Sequence, residues 1–158
     1  MKTLNLLLAL FAAVALPVTA GTALTPAGAS ASASAAVVSP APVPKVVFQI
    51  NVAEDAPTIL RFVTNYLIAE PTARVAVVSY GPGIDFMLKD AKDPKGAPYE
   101  PQLAMLKAKG VEFKVCNNTL KARNVTAEVV SKEATVVPGA VNEILRLQTR
   151  EGYAYFQH

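Results

Sequence analysis

From Lys45 onward the chain alternates short, unbroken apolar runs with stretches in which apolar residues recur every three or four positions. The first run, Lys45 to Val52, lacks polar alternation, the pattern of a strand buried on both faces. Asp55 then suits a helix N-cap and Pro57 its first turn. Ala56, Ile59, Leu60, Val63 and Leu67 fall on one helical face. Pro71 disfavours helical geometry at Glu70 and ends that helix. Arg74 to Tyr80 is a second buried strand, punctuated by Gly81-Pro82-Gly83. A short helical turn from Ile84 to Leu88 and a polar loop from Lys89 to Pro98 follow.

Tyr99 to Lys109 reads as a helix with Leu103 and Leu106 inward and Gly110 as its stop. Val111 to Val115 is the third strand, with Cys116 at its carboxyl end. Asn117 or Asn118 then caps a short helix running through Leu120 to Arg123, and Asn124 suits a left-handed stop. A further short helix is expected from Glu128 to Ser131, and a brief fourth strand from Ala134 to Val137. Pro138-Gly139 opens a helix whose inner face is expected to carry Val141, Ile144, Leu145 and Gln148. Gly152 ends it, and Tyr153 to Phe156 is a fifth strand. Strands alternating with helices predict an α/β domain with a parallel sheet covered on both faces. Reactive groups in such sheets gather at the carboxyl ends of strands. The loops after Val52, Tyr80, Val115 and Val137 are therefore the places to look, and Cys116 stands in one of them.

The first 44 residues have a different character. Lys2 precedes an almost wholly apolar run from Leu4 to Leu16, and Val18 and Ala20 are small residues at the two recognition positions of a cleavage site. This is the order of a secretory signal peptide over residues 1–20, with a second possible cut after Ala29. The apolar run is short for a membrane span, which takes about 20 residues. An uncleaved anchor is thus the lesser reading, and no stable membrane insertion is expected after cleavage. Residues 21–44 hold no charged and no aromatic side chain, so they predict a disordered Ala/Ser/Pro tether, stiffened near Pro40, Pro42 and Pro44. Residues 45–158 form the folded domain, and the protein is expected in the periplasm or outside the cell.

Charge adds little beyond exclusions. The chain carries a formal net charge of +3 from 15 Lys and Arg against 12 Asp and Glu, and no basic run or basic helix face stands out. Nucleic acid is therefore not expected as a partner. The one histidine is the last residue, which leaves no Ser/His/Asp arrangement and no metal-ligand spacing. Gly81-Pro82-Gly83 has glycines suited to an anion nest, but Pro82 lacks an N–H and a plain turn explains it as well. The single cysteine is the informative residue. An exported chain with one cysteine cannot form an internal disulfide, so the thiol is buried, paired with another chain, or chemically used. At a strand-to-helix junction, the helix dipole and free N–H groups favour the thiolate. Lys121 and Arg123 stand one to two turns further on, a long reach for direct pairing with it. The plain alternative is a small buried hydrophobe finishing a strand.

Residues Gly110 to Arg123, Val136 to Ile144, Leu147-Gln148 and Glu151 to Tyr155, with Val46 to Ile50 and Tyr80 to Gly83 in the first half, resemble the DsrE/DsrF-like family of sulfur-trafficking proteins. The resemblance spans the domain from Lys45 to His158. It implies a three-layer α/β/α fold with a five-stranded, mostly parallel sheet whose final strand lies beside the first. It also implies a homo-oligomer, a trimer or hexamer, and a sulfurtransferase-like role without a cofactor. In that role Cys116 holds sulfane sulfur as a persulfide, between a sulfur donor and an acceptor that are small molecules or protein thiols. Asn51, Tyr80, Gly81, Gly83, Asn117, Asn118 and Thr119 are then the candidate substrate contacts. The competing expectation is a non-enzymatic binding or assembly module in which Cys116 is structural.

Overall fold

The computed structural model describes residues 42–157. The expected signal peptide, and the tether as far as residue 41, lie outside the described residues. Pro44, expected as tether, already belongs to the fold, because its carbonyl accepts the Arg74 N–H at 2.9 Å.

Five strands build one sheet: β1 (Lys45–Ile50), β2 (Arg74–Ser79), β3 (Glu112–Cys116), β4 (Ala134–Val137) and β5 (Ala154–Gln157). Their order is β4-β3-β2-β1-β5, and every neighbouring pair is parallel. The last strand does lie beside the first, with Val46 opposite Ala154. Four helices join them: α1 (Ala56–Ala69), α2 (Glu100–Ala108), α3 (Asn117–Ala122) and α4 (Ala140–Glu151). A single turn of 3-10 helix precedes α1 and another spans Ala127–Val129, where a short helix was expected; a longer one covers Gly81–Met87.

The two faces of the sheet are packed unequally. Phe48, Ile50, Val75, Val77, Phe113 and Val115 point to the face covered by α1 and α2, against Ile59, Leu60, Val63, Leu103 and Leu106. The opposite face offers smaller side chains, Val47, Ala76 and Val78, with Cys116, and α4 covers it through Ala140, Ile144 and Leu147. This is the three-layer α/β/α arrangement, with all five predicted α1 core residues buried as the periodicity required. Among the described residues no helix is long and apolar enough to cross a membrane.

Two elements depart from expectation in ways that bear on function. The inner face of α4 is Ala140, Glu143, Ile144 and Leu147, while Val141 and Leu145 are exposed. A carboxylate occupies a core-facing position there, because Lys114 of β3 pairs with it at 3.0 Å. Periodicity that assigns apolar residues inward therefore selects a face rotated by about one residue. The start of α3 also differs. Cys116 itself, rather than either asparagine, occupies the N-cap position, with φ −70° and ψ 117°.

Candidate functional site

The carboxyl ends of β2, β3 and β4 open into one cleft of about 540 Å³. Three segments line it: Tyr80 to Pro82 after β2, Cys116 with Asn118 and Thr119 at the start of α3, and Gly139 to Asn142 at the start of α4. The loop after β1 takes no part. Of the sequence-predicted contacts, Tyr80, Gly81, Asn118 and Thr119 therefore meet around Cys116, whereas Asn51, Gly83 and Asn117 do not line the cleft. Asn51 acts through its carbonyl, which accepts the Gly83 N–H at 3.1 Å. Gly83 is a packing residue: a Cβ on it would stand 2.4 Å from the Ile50 carbonyl oxygen. Asn117 is the half-buried first residue of α3.

Cys116 lies on the cleft floor, 5% exposed. Its sulfur sits where two helices begin. The Ala140 N–H, at the first position of α4, donates to Sγ at 3.4 Å. The N–H groups of Asn118 and Thr119, in the first turn of α3, and the Thr119 hydroxyl also act on the sulfur in the direction that favours the thiolate. Burial pushes the thiol pKa up, but these donors pull it down by more, Thr119 and Ala140 foremost, so it lies below its ordinary value. The Thr119 hydroxyl oxygen in turn accepts the Gly81 N–H at 2.9 Å, which leaves its proton for the sulfur. The Gly83 N–H is likewise used internally, by Tyr80 and Asn51 carbonyls, so the glycine turn is a brace for the site and not an anion nest.

The walls carry few charges. Arg123 lines the cleft, and its guanidinium pairs with Asp85 and donates to the Gly81 carbonyl at 3.0 Å. It thus reaches the cleft, with its bonds going to Asp85 and Gly81 rather than to the thiol. The Tyr80 hydroxyl accepts from Gln49 Nε2 at 2.8 Å, and Gln49 Oε1 accepts from the Tyr155 hydroxyl, which fixes the Tyr80 ring at the cleft edge. Gly139 keeps room between Asn118 and Asn142, whose side-chain atoms would stand 3.3 and 3.4 Å from a Cβ placed on it. Among the described residues no group of three or more His, Cys, Asp or Glu is placed to hold a metal ion.

Sequence reasoning passed over Gly139, Ala140 and Asn142, which the fold brings to Cys116 from 24 residues away in the case of Ala140. Their signal was the placement of Pro138-Gly139 at the carboxyl end of the fourth strand, where one of the four candidate loops stood. The resulting arrangement is a buried, donor-rich sulfur beneath an open cleft. It shifts the balance from the thiol toward the thiolate, the form that attacks another sulfur.

Comparison with known proteins agrees with the fold. No curated protein matches the chain. Among solved structures, the protein of unknown function MTH1491 from Methanobacterium thermoautotrophicum is 28% identical, with a TM-score of 0.64 over 73% of this chain and 99% of its own. The ychN protein from E. coli shares the fold at 17% identity, with a TM-score of 0.59 over 72% of this chain and 100% of its own. The sequence model of the DsrE/DsrF-like family matches residues 45–158, the whole region that carries the sheet and the cysteine cleft, and the chain belongs to that family.

Proposed function

We propose that this protein is an exported sulfur carrier that holds sulfane sulfur on Cys116. The observation that carries the reading is the thiol itself: a cysteine on the floor of an open cleft, its pKa lowered by N–H donors from two helix starts. In the first step the Cys116 thiolate attacks the outer sulfur of a sulfane donor. The donor's S–S bond breaks, and its remaining part leaves with the electron pair, so Cys116 becomes Cys–S–S⁻. In the second step an acceptor thiolate attacks the outer sulfur, takes it as its own persulfide, and restores the Cys116 thiolate. Neither step needs an external oxidant or a cofactor. The donor-rich pocket around Sγ favours the thiolate as the leaving group of the second step. Export rests on the signal-peptide pattern of residues 1–20, and assembly into a trimer or hexamer on the family resemblance.

Transfer is tested by loading the protein with a polysulfide, removing excess donor, and adding a small acceptor thiol. A carrier loses one sulfur to the acceptor and returns to its starting mass. A loaded protein that keeps its sulfur against excess thiol would contradict a relay role. The second reading, a binding module with a structural cysteine, is favoured by one observation, the 5% exposure of Cys116. It predicts a thiol that resists alkylation in the folded protein.

A further inference from the structure

Lys114 and Glu143 are charged side chains inside the layer between the sheet and α4, at 9% and 8% exposure. Lys114 stands two residues before Cys116 on β3, so both side chains point to the α4 face. Glu143 stands three residues after Ala140, within the first turn of α4. Lys114 Nζ lies 3.0 Å from Glu143 Oε1 and 2.7 Å from Glu112. Arg146 holds Glu143 from the other side with two bonds of 2.8 Å, from Nε and Nη2, and itself pairs with Glu151. The strand bearing the cysteine and the helix turn bearing its N–H donor are thus joined by an ion pair within one turn of the sulfur.

We infer that the Lys114–Glu143 pair is a positioning device, pinning the first turn of α4 to β3 and so holding the Ala140 N–H against Cys116 Sγ. The inference rests on Cys116 as the reacting group but not on what it carries. The contact at stake is a single N–H···S bond of 3.4 Å, and a hydrogen bond loses strength as its donor drifts out of line. α4 buries only a narrow set of side chains on this face, so few apolar contacts fix its first turn. Arg146, on the same helix, holds the Glu143 carboxylate with two bonds so that it meets Lys114 of β3, whose contact crosses from helix to strand.

Two effects of neutralising Glu143 have opposite signs, which makes the test decisive. As a bare negative charge near the thiolate, its removal would lower the thiol pKa. As a positioning group, its removal frees the Ala140 N–H and raises it. The measurement is the pH dependence of Cys116 alkylation in wild type and Glu143→Gln, with amide hydrogen exchange at Ala140 read in parallel. The expected result is a several-fold slower alkylation at neutral pH and faster Ala140 exchange. In an Ala140→Pro background, which lacks the N–H, the same change no longer raises the thiol pKa. Should Glu143→Gln not fold, Lys114→Met is expected to speed Ala140 exchange and Lys114→Arg to restore most of its protection. A folded Glu143→Gln with an unchanged or lower thiol pKa, or Lys114 variants with unaltered Ala140 exchange, would overturn the inference. Failure of sulfur loading alongside the expected pKa change would instead remove the carrier reading and leave the positioning role standing.

Discussion

At the scale of single residues, the behaviour of Cys116 follows from who donates to its sulfur. Three backbone N–H groups and one hydroxyl meet a side chain that burial alone would keep neutral. Ala140 offers a clean way to remove one of them. It occupies the first position of α4, where proline is well tolerated, and Gly139 before it is extended, with φ −160° and ψ 138°. Ala140→Pro therefore deletes the donor while keeping the helix start. The Ala140 N–H is one of the donors that pull the thiol pKa down, so its loss is expected to raise that pKa. The pH profile of alkylation, or thiolate absorbance in the ultraviolet, reads this directly. An unshifted profile would show that the α3 donors alone set the thiol's acidity.

Element by element, the chain shows which parts of a fold a sequence makes legible. β1 and β2 are continuous apolar runs, and α1 repeats its buried residues at helical spacing, so both were readable from local pattern. α4 was placed correctly but turned wrongly, because Glu143 lies inside only by virtue of Lys114, a partner on another element. The same limit applies to the site. Cys116, Tyr80, Gly81, Asn118 and Thr119 stand at the ends of predicted strands and could be named, while Ala140 and Asn142 enter only when α4 docks on the sheet. Gly83 belongs with them: it looks like turn chemistry, yet the structure uses it for the approach of the turn to β1. A Cβ there would lie 2.4 Å from the Ile50 oxygen and 2.6 Å from its carbonyl carbon. Gly83→Ala must shift backbone on one side, at a cost of about 1–3 kcal/mol. The expected reading is a lower urea midpoint with an unchanged slope. An unaltered midpoint would mean that the turn re-forms elsewhere without loss.

At the largest scale, an all-parallel sheet gathers the ends of β2, β3 and β4 at the same edge, and among the described residues α4 covers the face that holds the sulfur. The ionic tie of that helix has a pH signature. The Arg146 hydrogen bonds hold the Glu143 carboxyl down to about 2 from an ordinary 4.5, against its burial and with help from Lys114. A carboxyl with a depressed folded pKa binds its proton more readily in the unfolded chain. Its contribution to stability is complete above about pH 4.5 and is lost as pH falls toward about 2. The thermal midpoint is expected to fall through that window, and Glu143→Gln to flatten the fall. Equal slopes in the two proteins would place the acid sensitivity in other carboxylates.

The central claim, that Cys116 accepts sulfur, is tested most directly by intact mass of the domain after exposure to a polysulfide, before and after a reductant. The account predicts a gain of one sulfur atom that the reductant removes and that Cys116→Ser abolishes. A wild-type protein whose thiol remains free, alkylates readily and gains no mass would contradict it.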